Sequence, residues 1–263
     1  MGYTPSMVGF FIKKSFFDGW DNLFSLVLLN LGFLVALAIG LLLPSIQGMP
    51  VWAGVIFAVI AIAAGSVLYS ASVYAMVAVA DFKTFHAGEA IAMLKRGLVP
   101  GLQSAVALIL GWIIVSIGLP FYAKTGAMLG AVAGGILFWF AVIALLALQY
   151  YVPLRARLGG GLKKNLRKSF LIFFDNPGFS LFLFIYSVVT LLLSGLLAFL
   201  APGFAGVALE QDIALRLRLY KYDWLEANPG AKRRDIPWDE LLTEDRDLVG
   251  KRTLKGMIFP WKE

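Results

Sequence analysis

Uncharged apolar runs of membrane length recur along this chain, separated by short polar stretches. Leu23 to Leu43 holds about 21 residues without a charge, roughly 30 Å of helix at 1.5 Å per residue, which matches the hydrocarbon core of a bilayer. Val51 to Ala80, Leu98 to Leu119, Ala127 to Val152 and Gly178 to Leu200 are likewise free of charge. Gly203 to Tyr220 is apolar enough to re-enter the membrane but contains Glu210, Asp212, Arg216 and Arg218. The pattern predicts an all-α, polytopic transmembrane helical bundle with six spans at about 23–43, 51–80, 98–119, 127–152, 178–200 and 203–220.

The stretches before these runs resemble one another. Lys14 to Leu26 (KSFFDGWDNLFSL) and Lys168 to Leu181 (KSFLIFFDNPGFSL) both pass from a basic residue through aromatics to an Asp-Asn pair, Asp21-Asn22 and Asp175-Asn176. A fainter copy, Lys95 to Gln103, lacks that pair. Asn22 and Asn176 are 154 positions apart and Pro100 and Pro177 are 77 apart, so the expectation is three helical-hairpin repeats of about 77 residues. Within residues 1–22, Phe16, Phe17 and Trp20 gather with Phe24 opposite Lys14, Asp18 and Asp21, the pattern of an interfacial amphipathic segment or of a plain extension of the first span. Ala90 to Leu98 is expected to lie along the interface in the same way.

Basic residues orient the spans. With six spans, 22 of the 23 Lys and Arg residues fall on the side that holds both ends, leaving Lys124 opposite, so both termini are expected in the cytoplasm. The turns containing Pro44, Pro120 and Pro202 then all lie outside. No short apolar core with a small-residue cleavage site precedes the first span, which is therefore expected to remain in the mature chain. Residues 221–263 have a soluble, mixed-charge composition with a short helix expected near Trp238 to Val249, and Trp224, Trp238, Phe259 and Trp261 are too few for a core of their own.

Composition narrows the chemistry. Hydrophobic residues make up 60%, charged residues 15%, and mean hydropathy is +0.81, outside the soluble range. With no cysteine there is no disulfide, thiolate site or cysteine nucleophile, and a single histidine, His86, leaves little scope for a triad or zinc site. No phosphate loop, zinc helix, nucleophile elbow or dinucleotide turn occurs, so neither an enzyme nor a cofactor is expected. Gly159 to Gly161 reads as a flexible joint. The net charge of +7 flanks spans and does not interleave with stacking aromatics, which argues against nucleic acid.

Two sets of residues stand out. Glu210 and Asp212, with Gln211 beside them, are costly within a span, about 3 kcal/mol for an acidic residue near the bilayer centre. Either they form a proton- or cation-coupled site, or Asp212 pairs with Arg216 one turn on and Glu210 meets a basic residue of another unit; pairing is the stronger reading. Arg155, Arg157, Lys163, Lys164, Arg167 and Lys168 form the most basic stretch, suited to anionic lipid headgroups or a partner. Ala61 with Gly65, and Gly130 with Gly134, have the spacing for close helix packing, and Asn30, Gln103 and Gln149 are expected to make interhelical hydrogen bonds.

Tyr151-Val152-Pro153-Leu154-Arg155-Ala156-Arg157, the basic helix Leu162 to Phe170 and Asp175-Asn176-Pro177 together resemble the central signature of the YesL-like bacterial integral membrane proteins, across roughly Leu23 to Tyr220. The resemblance implies a small inner-membrane protein, associated with carbohydrate uptake or degradation systems, with no catalytic residues to carry over. The aromatic amino-terminal helix and long charged tail depart from that pattern. The expected function is a non-enzymatic accessory or scaffold whose tail meets a membrane-protein partner; the alternative is a small transporter or channel built on Glu210 and Asp212.

Overall fold

The computed structural model describes residues 5–42, 50–125, 128–233 and 235–252. Among them all regular structure is helical: α1 (Pro5–Asp21), α2 (Leu23–Leu42), α3 (Val51–Ala80), α4 (Ala90–Ile113), α5 (Leu119–Lys124), α6 (Met128–Leu148), α7 (Tyr151–Leu158), α8 (Leu162–Asp175), α9 (Pro177–Ser194), α10 (Gly203–Ala227), α11 (Trp238–Leu241) and α12 (Thr243–Val249). A π-helical turn, Ile114–Gly118, joins α4 to α5. Five helical segments are long and apolar enough to cross a membrane: Leu23–Gly40, Val51–Ala80, Ala87–Lys124, Met128–Leu158 and Pro177–Leu197. The chain is thus a helical protein with membrane character. α10, the expected sixth span, is not in that set.

α10 is instead the enclosed axis of the molecule. Every residue from Ala205 to Leu215 is buried, with α1, α2, α3, α7 and α9 packed around it. A helix covered on all sides needs no single apolar stripe, which is why charged and apolar residues alternate here without an amphipathic period. The main apolar core joins Leu209, Ile213 and Leu217 of α10 to Phe11, Met76, Phe179 and Leu183. Phe11 meets Phe179, Phe182 and Tyr186 edge-on, at 5.9, 5.7 and 5.3 Å between ring centroids. Trp238, Leu242 and Val249 of the tail belong to the same core, so the tail docks on its own chain. Phe259 and Trp261 lie outside the described residues.

Local chemistry explains where helices break. The side-chain amide of Asn22 donates to the Asp18 carbonyl (2.9 Å) and that of Asn176 to the Ile172 carbonyl (3.1 Å). Each side chain thereby bonds the carbonyl that its own backbone N–H also reaches, and the helix ends there. α4 has no such asparagine and continues through Pro100, so Ala90 to Leu98 forms its first turns and is not a separate interfacial helix. Close packing accompanies this continuity: a Cβ at Gly97 would lie 2.6 Å from the Ala71 nitrogen, and one at Gly101 2.5 Å from the Val67 Cα. These two glycines, four apart, bring α3 and α4 together more closely than the small residues expected to do so. Gly65 has no neighbour at that range, while Ala61 meets Gly40, and Gly130 and Gly134 pack within the chain on Thr125 and Tyr122.

The amino-terminal helix also departs from its expected orientation. Lys14 and Asp18, expected on a wet face, are buried, whereas Trp20 and Phe24 are exposed. The reason is a mutual ion pair at 2.7 Å, with Lys14 Nζ also 3.2 Å from the Phe82 ring centroid, beneath a tail whose Gly250 carbonyl accepts from Lys13 at 2.7 Å. Burial pushes Lys14 down and Asp18 up from their ordinary pKa ranges, against the attraction each exerts on the other.

The turn between α9 and α10 is pinned to α2. Asn30 donates to the carbonyls of Leu200 (3.0 Å) and Pro202 (2.7 Å) and accepts from the Ala205 N–H (2.9 Å). Ser194 Oγ accepts from the Gly203 N–H at 2.8 Å. Gly203 has φ of +61°, and a Cβ there would lie 2.5 Å from the Asn30 Cγ, so both backbone sterics and the amide exclude a side chain. Asn30 lies about 10 Å along α2 from Leu23 at 1.5 Å per residue, so the Pro202 turn packs beside the first half of α2. Replacing Asn30 by leucine strands two carbonyls and an N–H in the interior and is expected to cost about 1–3 kcal/mol. Thermal unfolding in detergent should show N30L well below the wild type and L31A, at an exposed position of the same helix, close to it; equal stability of N30L and wild type would remove the pin.

Candidate functional site

Consecutive residues on a helix point about 100° apart, so Glu210, Gln211 and Asp212 address three different neighbours. Glu210 turns to α9, accepting from Thr190 Oγ1 at 2.6 Å and Ser187 Oγ at 3.2 Å. Gln211 turns to α3, where its Oε1 accepts from the Tyr69 hydroxyl at 2.5 Å. Asp212 turns to α7, its Oδ1 3.7 Å from Arg157 Nε, and neither of its oxygens has a hydrogen-bond partner among the described residues. The three do not converge on one site. Two expected pairings are also corrected: Glu210 meets hydroxyls and, among the described residues, no basic side chain, because α9 offers serine and threonine where it passes; and Asp212 does not pair with Arg216, because better partners hold that guanidinium.

Those partners build a chain of charge across four helices. Arg216 donates to Asp81 Oδ1 (2.7 Å), the Ala80 carbonyl (2.9 Å) and Asp245 Oδ1 (2.8 Å), and contacts the Tyr220 hydroxyl. Arg157 donates to both oxygens of the same Asp81, at 2.9 and 3.1 Å. The order Asp212, Arg157, Asp81, Arg216, Asp245 therefore runs from α10 through α7 and the end of α3 back to α10 and out to α12. Arg157 is spent inside this chain and is not part of the outward basic surface with which it was grouped. Asp81 and Asp245 were the residues sequence reasoning missed. For Asp81, its position immediately after the 30-residue α3 was the available signal.

A second cluster gathers at the α8–α9 break. Asp175 accepts from Lys221 (2.6 Å), Tyr222 (3.0 Å) and Arg233, while Asn176 Oδ1 accepts from Lys221 (2.7 Å) and Arg218 (3.0 Å). The Arg218 guanidinium also lies 4.1 Å from the Phe179 ring centroid and 5.2 Å from that of Trp238. Burial alone would raise the Asp175 carboxyl, but the hydrogen bonds and charges of Lys221, Tyr222 and Arg233 hold it below the ordinary carboxylate range. The Asp-Asn pair, legible in the sequence as a marker, thus terminates α8 and anchors the far half of α10.

The remaining polar candidates are simpler. Gln149 donates to the Leu146 carbonyl (2.8 Å) and across to that of Ser180 (2.9 Å), and Gln103 accepts from the Tyr151 hydroxyl. His86 is exposed beside Thr84. Gly159 and Gly160 have positive φ and separate α7 from α8, while Asn165 donates back to the carbonyls of Gly159 and Gly161. Lys163, Lys164 and Arg167 are exposed, and Arg155 and Lys168 partly so; none of the five forms an ion pair among the described residues. Among the described residues no three His, Cys, Asp or Glu side chains converge to hold a metal. Comparison with protein-family models, characterised proteins and solved structures finds no match.

Asp175 supplies a pH test. Its folded pKa is depressed, so its ionised form stabilises the protein fully above the unfolded value near 3.9, and that contribution fades as pH falls through this value towards the lower folded one. D175N should lose about 2–4 kcal/mol at pH 7, where Lys221 is left buried without its counter-charge. Its melting temperature should also fall less steeply than that of the wild type between about pH 5 and 3. Parallel profiles for the two proteins would contradict this assignment.

Proposed function

We propose that the protein is a non-enzymatic scaffold or accessory subunit of a bacterial inner membrane, in which α9 and α10 form a hairpin that returns the chain to the side of the amino terminus and both termini face the cytoplasm. The observation that carries this reading is the built-in tail. Trp238, Leu242 and Val249 share the core of the membrane helices, and the Arg216–Asp245 pair ties α12 to α10, so the cytoplasmic face is a fixed platform suited to a protein partner. Contacts of Asp81, Asp175 and α1 with the second half of α10 and the tail favour an even number of crossings, because they gather these segments at one end. Three hairpin repeats remain part of the proposal, supported by the matching amide-to-carbonyl breaks at Asn22 and Asn176. The resemblance to YesL-like proteins favours a partner from a solute-uptake system, carbohydrate uptake first.

Asp212 favours a second reading, a proton- or cation-coupled transporter, because a carboxylate at 0% exposure that has no hydrogen bond among the described residues, and Arg157 no nearer than 3.7 Å, is costly unless its charge is used. Cysteine labelling in the naturally cysteine-free chain separates the two. A small aqueous thiol reagent should modify T243C only from the cytoplasmic side and K124C only from outside, and should leave E210C and D212C unmodified in sealed vesicles. External labelling of T243C would sink the arrangement with both termini on one side, and labelling of D212C or E210C would transfer the assignment to transport.

A further inference from the structure

The two copies of the Lys-Ser-Phe…Asp-Asn segment have opposite fates. In α1 the basic residues are consumed inside the protein: Lys14 by Asp18 and Phe82, Lys13 by the Gly250 carbonyl of the tail that covers it. In α8 they are left outward. Asn165, Ser169, Ile172 and Phe173 are buried, on the side towards α6, α7 and α9, and the opposite side reads Lys163, Lys164, Arg167 and Lys168, followed by Leu171 and Phe174. Leu171 is 57% and Phe174 63% exposed, and beyond the Asn176 break the apolar exposure continues with Leu181 and Ile185 of α9. The outward side is therefore cationic at its beginning and apolar at its end.

The charge arrangement is also unfavourable for the helix by itself. The first turn of α8 carries two lysines, no acidic residue and no capping side chain, although the positive end of a helix dipole prefers anions. An anion beside Lys163 and Lys164 would reverse that conflict.

We propose that α8 is an anionic-phospholipid binding helix, with Lys163, Lys164, Arg167 and Lys168 holding phosphate-bearing headgroups while Leu171 and Phe174 reach the acyl region. The gradient along the helix matches the layering of a bilayer surface, headgroup first and hydrocarbon second, and the continuous apolar exposure into α9 sets it at that depth. The triglycine joint, with positive φ at Gly159 and Gly160, lets α8 leave the direction of α7 and lie on this surface.

The test uses the full-length protein, reconstituted, with a fluorescent label on L171C and quenching by brominated phosphatidylglycerol or brominated phosphatidylcholine at equal mole fraction. The anionic lipid should be enriched at the label by at least about threefold, falling towards parity when salt is raised from about 0.05 to about 0.5 M and in K163Q/K164Q/R167Q/K168Q. K95Q/R96Q, which removes another basic pair ahead of an apolar run, should retain the preference. Equal quenching by the two lipids, a preference insensitive to salt, equal loss in K95Q/R96Q, or absence of quenching by either lipid, as beneath a protein partner, would each overturn the proposal. The salt arm needs no charge variant and stands even where the fourfold substitution does not fold.

Discussion

A charged helix enclosed on every side by other helices is the condition that the rest of this structure satisfies. α10 carries Glu210, Asp212, Arg216, Arg218 and Lys221 into the interior, where an ion without a partner costs several kcal/mol. The neighbours are accordingly furnished with something polar, each at the level of its own partner: hydroxyls on α9, a tyrosine on α3, Arg157 on α7, Asp81 at the end of α3, Asp175 at the end of α8. Apolar packing between lipid-exposed helices discriminates little between registers, since side chain against side chain resembles side chain against lipid. The partners of α10 discriminate strongly, because a slip of one turn would unpair buried charge. They are what gives the bundle one arrangement.

The same logic separates the interior from the periphery. α4, α5 and α6 expose apolar side chains along most of their length and rely on close backbone approach, most clearly where Gly97 and Gly101 lie against α3. Around α10 the helices are joined by directed bonds. The two halves of the molecule thus use the two means of helix association available in a membrane, dispersion at small residues and hydrogen bonding at polar ones.

Much of this was legible in the sequence, for reasons that also set its boundary. The Val51 to Ala80 helix has the bounds read from its uncharged run, because length and hydropathy are local properties. The break at Asn176 was legible as well, because proline follows an asparagine that can bond its own helix. Asp212 with Arg216 was the natural pair at one helical turn, yet the structure gives Arg216 to Asp81, 135 positions earlier, and to Asp245. Helical periodicity places residues on a face but does not say which other helix that face meets. Likewise Lys14 and Asp18 looked like a wet surface because charge usually is, and only the position of the tail converts that surface into an interior.

Arg216 also imposes an order in time. One of its carboxylates, Asp81, is made early in synthesis, and the other, Asp245, emerges only after every long apolar helix has left the ribosome. Until then the apolar places taken by Trp238, Leu242 and Val249 are open, and α1 lacks its cover. Insertion of the helices and completion of the fold are therefore separate events, and a chain released short of α12 would be inserted but unfinished, its Arg216 guanidinium short of one carboxylate beside an open core.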